Sequence, residues 1–409
     1  MAVVPAPSPV PIPTDLQIHP GPALLSGIED GPSLAAHRAQ YGELPDITLA
    51  ALLAATERLR VRGRGGAAFP FTVKLRAAAE GKRPVVVVNL SEGEPASAKD
   101  SALAVTRPHL VLDGAVATAR ALGTSEVHLI LPGDRTGVVN AMERAIAERR
   151  GWPTIRTHVA DARFVAGQAR AVLELMAGRP NLPVTAWAPE AISGHKGRPT
   201  LLSNAETWAQ VGRLVLVDEP AYAAHGSHQE PGTTLLTLSV GAVPEVVEVP
   251  FGTRIRDVLP TSAHGRPALV GGFHGAWAPW STLASTRISV DGMKLLGIPL
   301  GAGVVVSSPE CPVTFTGKIV DYLAGQSAGR CGPCFNGLPA LAAALQAIVH
   351  GQGGPARVEE LAGVVVRRGA CAHPDGTVRL VRSLLTAFPG EVAEHAAGSC
   401  GSLLVEAAS

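Results

Sequence analysis

An alternation of helical and strand patterns between residues 47 and 150 restricts the fold of this 409-residue chain more than any other feature. Apolar residues recur at helical spacing in three segments, and short runs rich in valine, leucine and isoleucine lie between them. The helical segments are 47–60, 110–122 and 137–150, and the strand-like runs are 84–90 and 127–132. This alternation predicts an α/β fold with a mostly parallel sheet.

The pattern changes twice after this region. From about residue 232, glycine and proline separate short strand-like pieces at 233–243, 245–252 and 267–273, which predicts a small β-rich module. After Cys311, which we interpret as structural, apolar residues return to spacings of three and four. The segments with this spacing are 313–325, 338–351, 356–369 and 378–392. The chain is therefore predicted to end in a helical bundle.

Composition limits the classes of function. A hydrophobic fraction of 46%, a charged fraction of 17% and a net charge of +1 fit a globular protein of roughly two or three domains. Near-neutral charge, without a basic cluster among aromatic residues, argues against a nucleic-acid partner. The proline-rich residues 1–22 lack the pattern of a signal peptide, so we expect a flexible tail there and a cytoplasmic protein. The longest apolar stretches are too short for membrane insertion.

Three cysteines give the strongest chemical signal. Cys331 and Cys334 form a CxxC pair, and Cys371 follows further along the chain. Without a secretory signal, this pattern is more typical of metal ligation than of a disulfide framework. Ordinary buried thiols and a redox-active disulfide remain open on this pattern alone. Iron–sulfur clusters are normally held by four thiolates, so a cluster here has an incomplete ligand set.

A glycine-rich loop lies far upstream of the cysteines. Gly63, Gly65 and Gly66 surround Arg64, and their backbone N–H groups are free of side-chain obstruction toward an anionic phosphate. The loop also fits GxGxxA through Ala68, but it follows a helix-like segment instead of the strand that a dinucleotide-binding Rossmann site requires. An ordinary glycine loop is an equally good interpretation of these residues alone.

Two further segments carry polar side chains beside predicted elements. The strand at 84–90 ends in Asn89 and is followed by Ser91, Glu92 and Glu94, at the strand end where open α/β sheets bind ligands such as a flavin. A later segment offers Ser203, Asn204 and Thr207 beside a helix start. A solvated turn and a helix cap are the respective alternatives.

In their order along the chain, these segments resemble the NADH-binding FMN and iron–sulfur flavoprotein of respiratory complex I, its F-type subunit, and the relatives of this subunit in NAD-linked hydrogenases and formate dehydrogenases. The family's FMN-binding GRGGAGFPTGLKW-like loop corresponds to GRGGAAFPFTVKL at 63–75. Its NADESEPGTFKD corresponds to NLSEGEPASAKD at 89–100, and its PTxxNNVET to PTLLSNAET at 199–207.

The resemblance implies a set of site residues and a domain plan. The implied FMN contacts are Gly63, Arg64, Gly65, Gly66, Lys74, Asn89, Ser91, Glu92, Gly167, Ser203, Asn204 and Thr207. Phe69 and Glu94 are the implied contacts of NADH. The implied domains are a tail at 1–22, a Rossmann-like FMN domain at 23–228, a β-grasp module of the soluble-ligand-binding type at 229–308 and a helical iron–sulfur domain at 309–409.

The family also implies a direction of electron flow. Hydride passes from NADH to FMN, and single electrons pass from FMN to a [4Fe-4S] cluster. The expected acceptor is a ferredoxin-like or other iron–sulfur protein within a multisubunit complex.

The chain departs from the family pattern at the cluster. Ala328 replaces the first cluster cysteine, leaving Cys331, Cys334 and Cys371 as ligands. The cluster is therefore expected to be a [4Fe-4S] cluster with an incomplete ligand set or a [3Fe-4S] cluster. His373 and Cys400 are candidate substitutes for the missing ligand.

The nicotinamide side departs as well. Gln168 and Ala169 replace two glutamates of the family, and a basic segment aligns with the uncharged 186–189. Three hypotheses follow: an NADH oxidoreductase, an FMN electron-transfer protein with another donor, and a non-catalytic scaffold.

Overall fold

The computed structural model of the chain describes residues 8–9, 15–149 and 153–401. The strands are β1 (Gln17–Ile18), β2 (Val85–Asn89), β3 (Val127–Pro132), β4 (Ile155–Ala160), β5 (Thr200–Asn204), β6 (Thr233–Ser239), β7 (Glu245–Pro250), β8 (Ala268–Val270), β9 (Ala276–Ala278) and β10 (Val304–Val306). The helices are α1 (Leu34–Tyr41), α2 (Leu49–Arg58), α3 (Phe71–Glu80), α4 (Lys99–Thr106), α5 (Pro108–Ala121), α6 (Thr136–Ala147), α7 (Ala169–Met176), α8 (Ala205–Leu216), α9 (Glu219–Ala223), α10 (Ile255–Val258), α11 (Trp280–Leu283), α12 (Val290–Leu295), α13 (Pro312–Gly325), α14 (Leu338–Val349), α15 (Pro355–Val365), α16 (His373–Ala387) and α17 (Pro389–Ala396).

The first domain is built on a parallel sheet with the strand order β4-β3-β2-β5. Residues of β3 are all buried, as expected for a sheet covered by helices on both faces. The chain runs outward from β2 through β3 to β4 and then places β5 on the other side of β2. The strand order reverses between β2 and β5, and open α/β sheets bind ligands outside the carboxyl ends of the strands at such a point. We call this region the crevice. The predicted α/β fold with a parallel sheet is confirmed.

The sequence patterns predicted β2 and β3 but missed β4 and β5. Most residues of β4 are partly or fully exposed, so this strand lacks the apolar run that identifies a central strand. β5 is buried but short, and polar residues occupy its two ends.

Helices α5 and α8 pack with their backbones in close contact. A Cβ atom at Gly114 would clash with the carbonyl oxygen of Trp208, and one at Gly212 would clash with that of Leu110. Glycine inside a helix costs about 1 kcal/mol relative to alanine, and here it permits this approach. The indole nitrogen of Trp208 donates to the carbonyl oxygen of Val87 at 3.0 Å, which fixes α8 against the sheet.

The second domain has the β-grasp arrangement. Strands β6 and β7 form an antiparallel hairpin, and β10 returns parallel to β6 on its other side. The complete strand order is β1-β7-β6-β10-β8-β9. The predicted β-rich module is confirmed.

Helices α13 to α17 form the C-terminal bundle, which shares an apolar core with the β-grasp domain. The indole nitrogen of Trp277 donates to the Thr316 hydroxyl of α13 at 2.8 Å, across this junction. The single helical pattern at 378–392 is split in the structure between α16 and α17. Pro389 begins the second helix because proline cannot donate the backbone hydrogen bond that would continue the first.

The expectation of a flexible tail over residues 1–22 does not hold for its last residues. β1 pairs in parallel with β7, where it covers an otherwise open sheet edge. Beyond it, the Glu248 carboxylate accepts hydrogen bonds from the N–H groups of Ala23, Leu24 and Leu25 at 2.7–3.0 Å. Residues 1–7 and 10–14 of the tail lie outside the described residues.

None of the helices in the described residues combines the length and the apolar character needed to cross a bilayer.

We expect Glu248→Ala to lower the free energy of unfolding by about 2–4 kcal/mol, because three buried N–H groups lose their acceptor. Urea denaturation followed by tryptophan fluorescence measures this change. Glu245→Ala is the control, since it removes only the contact of a partly exposed carboxylate with His19, and should cost less than about 1 kcal/mol. Equal losses in the two variants would contradict the role of Glu248.

Candidate functional site

The crevice outside β2 and β5 brings together most of the predicted FMN-binding residues. Asn89, the last residue of β2, pairs in register with Asn204, the last residue of β5. The exposed Gly65 lies beside the Asn204 side chain, which would be 3.8 Å from a Cβ atom built on this glycine. Polar strand ends beside an open glycine backbone are typical of phosphate-bearing ligand sites in α/β sheets.

Buried hydrogen bonds hold the glycine loop to the turn after β5. The backbone N–H of Arg64 donates to the Thr207 hydroxyl at 2.8 Å, and this hydroxyl donates to the side-chain oxygen of Asn204 at 2.5 Å. The Asn204 amide in turn donates to the Asp100 carboxylate at 3.0 Å. The loop is therefore fixed in place before any ligand binds.

The Arg64 side chain lies in the interior and not on the exposed side of the loop. Its guanidinium stacks on the Phe251 ring at 4.7 Å and donates to the carbonyl oxygen of Thr233 at 3.2 Å. It also lies 3.7 Å from the Glu206 carboxylate. The guanidinium of Arg64 is therefore not directed at a cofactor in the crevice. It connects the glycine loop to the β-grasp domain.

Lys99, Asp100 and Glu206 form a buried ionic cluster at the base of the loop. The Lys99 ammonium lies 3.1 Å from Asp100 and 2.8 Å from Glu206. Burial disfavours the charged ammonium, but the two carboxylates outweigh this effect and raise the pKa of Lys99. Glu206 also accepts the N–H of Leu235 in β6 at 2.9 Å. The buried ionic cluster therefore joins the two sheets of the molecule.

Glu92 organises the turn after β2. Its carboxylate accepts the N–H groups of Asp100 and Ser101, both at 2.9 Å, and forms an ion pair with Arg135. Burial opposes ionisation, but Arg135 and the Ser101 hydroxyl keep the pKa of Glu92 below its usual value. Because these partners occupy both carboxylate oxygens, Glu92 holds the turn instead of offering a free carboxylate to a flavin.

The β-grasp domain supplies a wall beside the glycine loop that the sequence patterns did not reveal. A Cβ atom at Gly66 would lie 3.7 Å from Gly301. The N–H of Phe273 donates to the Glu94 carboxylate at 2.8 Å. Burial raises the pKa of Glu94 to about 7, against the effect of hydrogen bonds from Phe273 and Ala96. Glu94 is therefore a carboxyl group that changes protonation near neutral pH, as groups at functional sites often do.

Gly167 and Gln168 connect the crevice with the cysteines. The Asn89 amide donates to the carbonyl oxygen of Gly167 at 2.8 Å, and the Ser91 hydroxyl lies where a Cβ atom on Gly167 would clash. Burial raises the pKa of the Cys371 thiol, and the side chain of the next residue, Gln168, lies close enough to the thiol to oppose this shift by hydrogen bonding. No sequence signal marks this role of Gln168, because only the fold brings it next to the cysteine.

The three predicted cluster ligands lie together beside α14. The sulfur atoms of Cys331 and Cys334 are 3.5 Å apart, and Cys371 interacts electrostatically with both. Burial favours the neutral thiol of Cys334, but the backbone N–H groups of residues 328–330 are among the contacts that outweigh this effect and lower its pKa. Amide groups directed at a sulfur stabilise the thiolate, the form that binds metal.

The fourth ligand position is occupied by the buried Ala328, whose methyl group cannot bind iron. The two candidate substitutes have other partners. His373 has both ring nitrogens engaged, with His274 at 3.0 Å and with a backbone carbonyl oxygen at 2.8 Å. Cys400 lies 3.4 Å from the Glu391 carboxylate. Cys331, Cys334 and Cys371 therefore offer three thiols to an iron–sulfur cluster, and both candidate substitutes are engaged with other partners.

Three other predicted residues lie around the same crevice. The Lys74 ammonium donates to the Glu190 carboxylate at 2.9 Å and to the carbonyl oxygen of Leu202 in β5 at 3.2 Å. Ser203 is buried within β5, and the Phe69 side chain is 46% exposed on the glycine loop. Of the three, Phe69 is the most accessible to a ligand.

Two protein-family models match the chain. The Nuo51 FMN-binding domain matches residues 56–213. The iron–sulfur binding region of NADH-ubiquinone oxidoreductase-F matches residues 314–395. The first match spans the glycine loop and the crevice, and the second spans the three cysteines.

Individual proteins match over most of the chain. The NADH-quinone oxidoreductase F 2 subunit of Rhizobium meliloti is 28% identical over 401 residues, which cover 91% of this chain and 94% of that protein. The corresponding F subunit of Streptomyces coelicolor is 28% identical over 373 residues, covering 85% and 83%. A crystal structure of NAD+-reducing [NiFe]-hydrogenase in the H2-reduced state has a TM-score of 0.81 at 24% identity, covers 93% of this chain and 68% of its own, and shows the shared fold.

We expect Gly65→Val to lower FMN binding at least about tenfold without unfolding the protein. A Cβ atom at Gly65 meets Asn204 at an ordinary contact distance, so the added side chain obstructs the exposed side of the loop where a phosphate would approach. Flavin absorbance after gel filtration measures occupancy, and circular dichroism checks the fold. Gly137→Val is the control, because a Cβ atom there meets nothing within 4 Å. Normal flavin occupancy in Gly65→Val would contradict the assignment of the loop.

Proposed function

Since this chain belongs, as a divergent member, to the family of NADH-quinone oxidoreductase flavoproteins of the F type, we propose that it carries electrons from NADH through FMN and an iron–sulfur cluster to a partner protein. The observation that carries the proposal is the pair Gly167 and Gln168. The carbonyl oxygen of Gly167 accepts a hydrogen bond from the Asn89 amide in the crevice. The side chain of the next residue, Gln168, lies at the Cys371 thiol. The flavin site and the cluster site are thus linked through two consecutive residues.

The crevice residues fit an FMN, because exposed glycines and polar strand ends lie together there. We assign the phosphate to the backbone of Gly65 and Gly66, whose N–H groups carry no side chain. The predicted contact of Gly63 does not include its N–H, which donates to the carbonyl oxygen of Phe69 at 2.8 Å and closes the loop. We assign the flavin ring to the region of Asn89 and Ser91. Bound FMN would accept a hydride and release its electrons one at a time.

The remaining predicted FMN contacts position this surface. Thr207 and Asn204 hold the glycine loop by hydrogen bonds. Ser203 is part of β5, and Lys74 of α3 donates to the carbonyl oxygen of Leu202 in the same strand. Glu92 holds the turn after β2. These residues keep the crevice in one arrangement, which lowers the entropy that ligand binding must remove.

NADH as the donor is supported by the names of the relatives and by two side chains at the site. Phe69 exposes its ring on the glycine loop, and Glu94 lies beside the β-grasp wall. Hydride transfer from NADH requires no protein acid or base, so these residues act by placing the nicotinamide and excluding water. The substitution of Gln168 and Ala169 for two family glutamates favours a second candidate, an FMN electron-transfer protein with another donor.

Cys331, Cys334 and Cys371 hold the cluster in this proposal, as [3Fe-4S] or as [4Fe-4S] with one iron lacking a cysteine. The acceptor is a ferredoxin-like or other iron–sulfur protein of a multisubunit assembly, as the relatives' membership of oxidoreductase complexes supports. The five free cysteines of the chain favour a reducing compartment, so we place the protein in the cytoplasm.

The test of the donor uses the full chain reconstituted anaerobically with FMN, iron and sulfide. We expect NADH to bleach the flavin absorbance band within a turnover. Bleaching by dithionite but not by NADH would contradict the choice of donor and favour the second candidate. A protein that takes up neither flavin nor iron would be a scaffold, contrary to the proposal.

We expect Ala328→Cys to raise the iron content from about three to about four atoms per cluster, because it supplies the missing thiolate. Iron and sulfide analysis measures the change, and EPR of the oxidised protein should show a three-iron signal only in the unsubstituted chain. Ser327→Cys is the control and should leave both readouts unchanged. Four irons per cluster in both proteins would contradict the [3Fe-4S] form.

A further inference from the structure

A cavity of about 550 Å³ opens on the bundle, and Cys311, His395 and Cys400 are among the residues that line it. Glu391 lies beside these three residues. Cys311 precedes α13, Glu391 and His395 belong to α17, and Cys400 follows that helix. One ligand atom from each of the four residues lies within 4.8 Å of the others. Neither the flavin crevice nor the three cluster cysteines includes any of these residues.

The separations within this group fit a tetrahedral metal ion. The Cys311 sulfur lies 3.2 Å from His395 Nε2 and 3.2 Å from Glu391 Oε1. The same Glu391 oxygen lies 3.4 Å from the Cys400 sulfur and 3.5 Å from His395 Nε2. Ligand atoms about 2.0–2.3 Å from a zinc ion at tetrahedral corners are about 3.3–3.8 Å apart. An ion at the centre of the group therefore requires only small movements of the side chains.

The surrounding contacts orient these ligands. His395 Nδ1 lies 3.4 Å from the carbonyl oxygen of Val349, so this nitrogen carries the proton and Nε2 presents its lone pair to the group. Glu391 and His395 are one helical turn apart and share a face of α17. The backbone N–H groups of Val313 and Thr314 also hydrogen-bond the Cys311 sulfur and so hold it toward the group.

The donor set selects the metal. Calcium and magnesium prefer oxygen ligands, whereas two sulfurs, an imidazole nitrogen and a carboxylate suit zinc. Four protein ligands leave no open position for water or substrate, which is typical of a structural site.

We propose that Cys311, Glu391, His395 and Cys400 bind one Zn²⁺ ion in a structural site that fastens the end of the bundle to its beginning. This inference is independent of the proposed function, because the site shares no residue with the flavin or the cluster. It assigns a role to Cys311 and Cys400, two cysteines that lie too far apart in the sequence to form a recognisable metal-binding motif.

Zinc and iron are measured together by mass spectrometry on the full chain, purified under reducing conditions and treated with a moderate chelator. We expect about one zinc per chain, with zinc affinity at least about 100-fold lower in His395→Ala and in Cys400→Ser. His350→Ala is the matched control, because His350 lines the same cavity but does not belong to the group. It should retain zinc. Loss of zinc by the unsubstituted chain, or equal retention in all variants, would overturn the proposal.

Two further measurements separate this site from the cluster. Replacing both Cys331 and Cys334 by serine should remove the iron and leave the zinc. Cobalt substituted into the unsubstituted protein should show the absorption of a tetrahedral ion with thiolate charge transfer, which tests the site even where a variant fails to fold. An octahedral cobalt spectrum would also overturn the proposal. So would a Cys311–Cys400 disulfide that persists after purification under reducing conditions.

Discussion

The buried ionic cluster of Lys99, Asp100 and Glu206 is the interaction on which the arrangement of the site depends. It lies where the turn after β2, the turn after β5 and strand β6 meet. An unpaired buried charge costs about 3–5 kcal/mol, so the three segments are stable only when they come together. The α/β domain and the β-grasp domain are therefore held in one relative position. This position sets the shape of the crevice.

The hydrogen bonds that connect the crevice with the cysteines depend on the same ionic cluster. Asp100 holds Asn204, and through Thr207 this contact fixes the backbone of the glycine loop. On the other side of β2, Asn89 holds Gly167 and so places Gln168 against Cys371. A flavin in the crevice and a cluster on the cysteines would thus be positioned by one connected set of hydrogen bonds.

Local patterns predicted the elements of this structure better than its long-range contacts. The apolar runs of β2 and β3 and the helical spacing of the bundle are visible in the sequence because each element buries a continuous face. Strand ends and glycines likewise identified Asn89 and Gly65. The interior position of the Arg64 side chain and the contact of Gln168 with Cys371 depend on segments far apart in the chain. The group around Cys311 is hidden for the same reason, since only Glu391 and His395 show a helical spacing.

The most direct measurement of the coupling between crevice and cluster is freeze-quench EPR on the anaerobically reconstituted chain after photochemical reduction of its flavin. If Gly167 and Gln168 link the two sites as described, the cluster should be reduced as the flavin returns its electrons, within the same turnover. EPR shows this as loss of the oxidised [3Fe-4S] signal or, for a [4Fe-4S] cluster, as gain of the signal of its reduced form. A flavin that stays fully reduced beside an unchanged oxidised cluster would contradict an electron path between them.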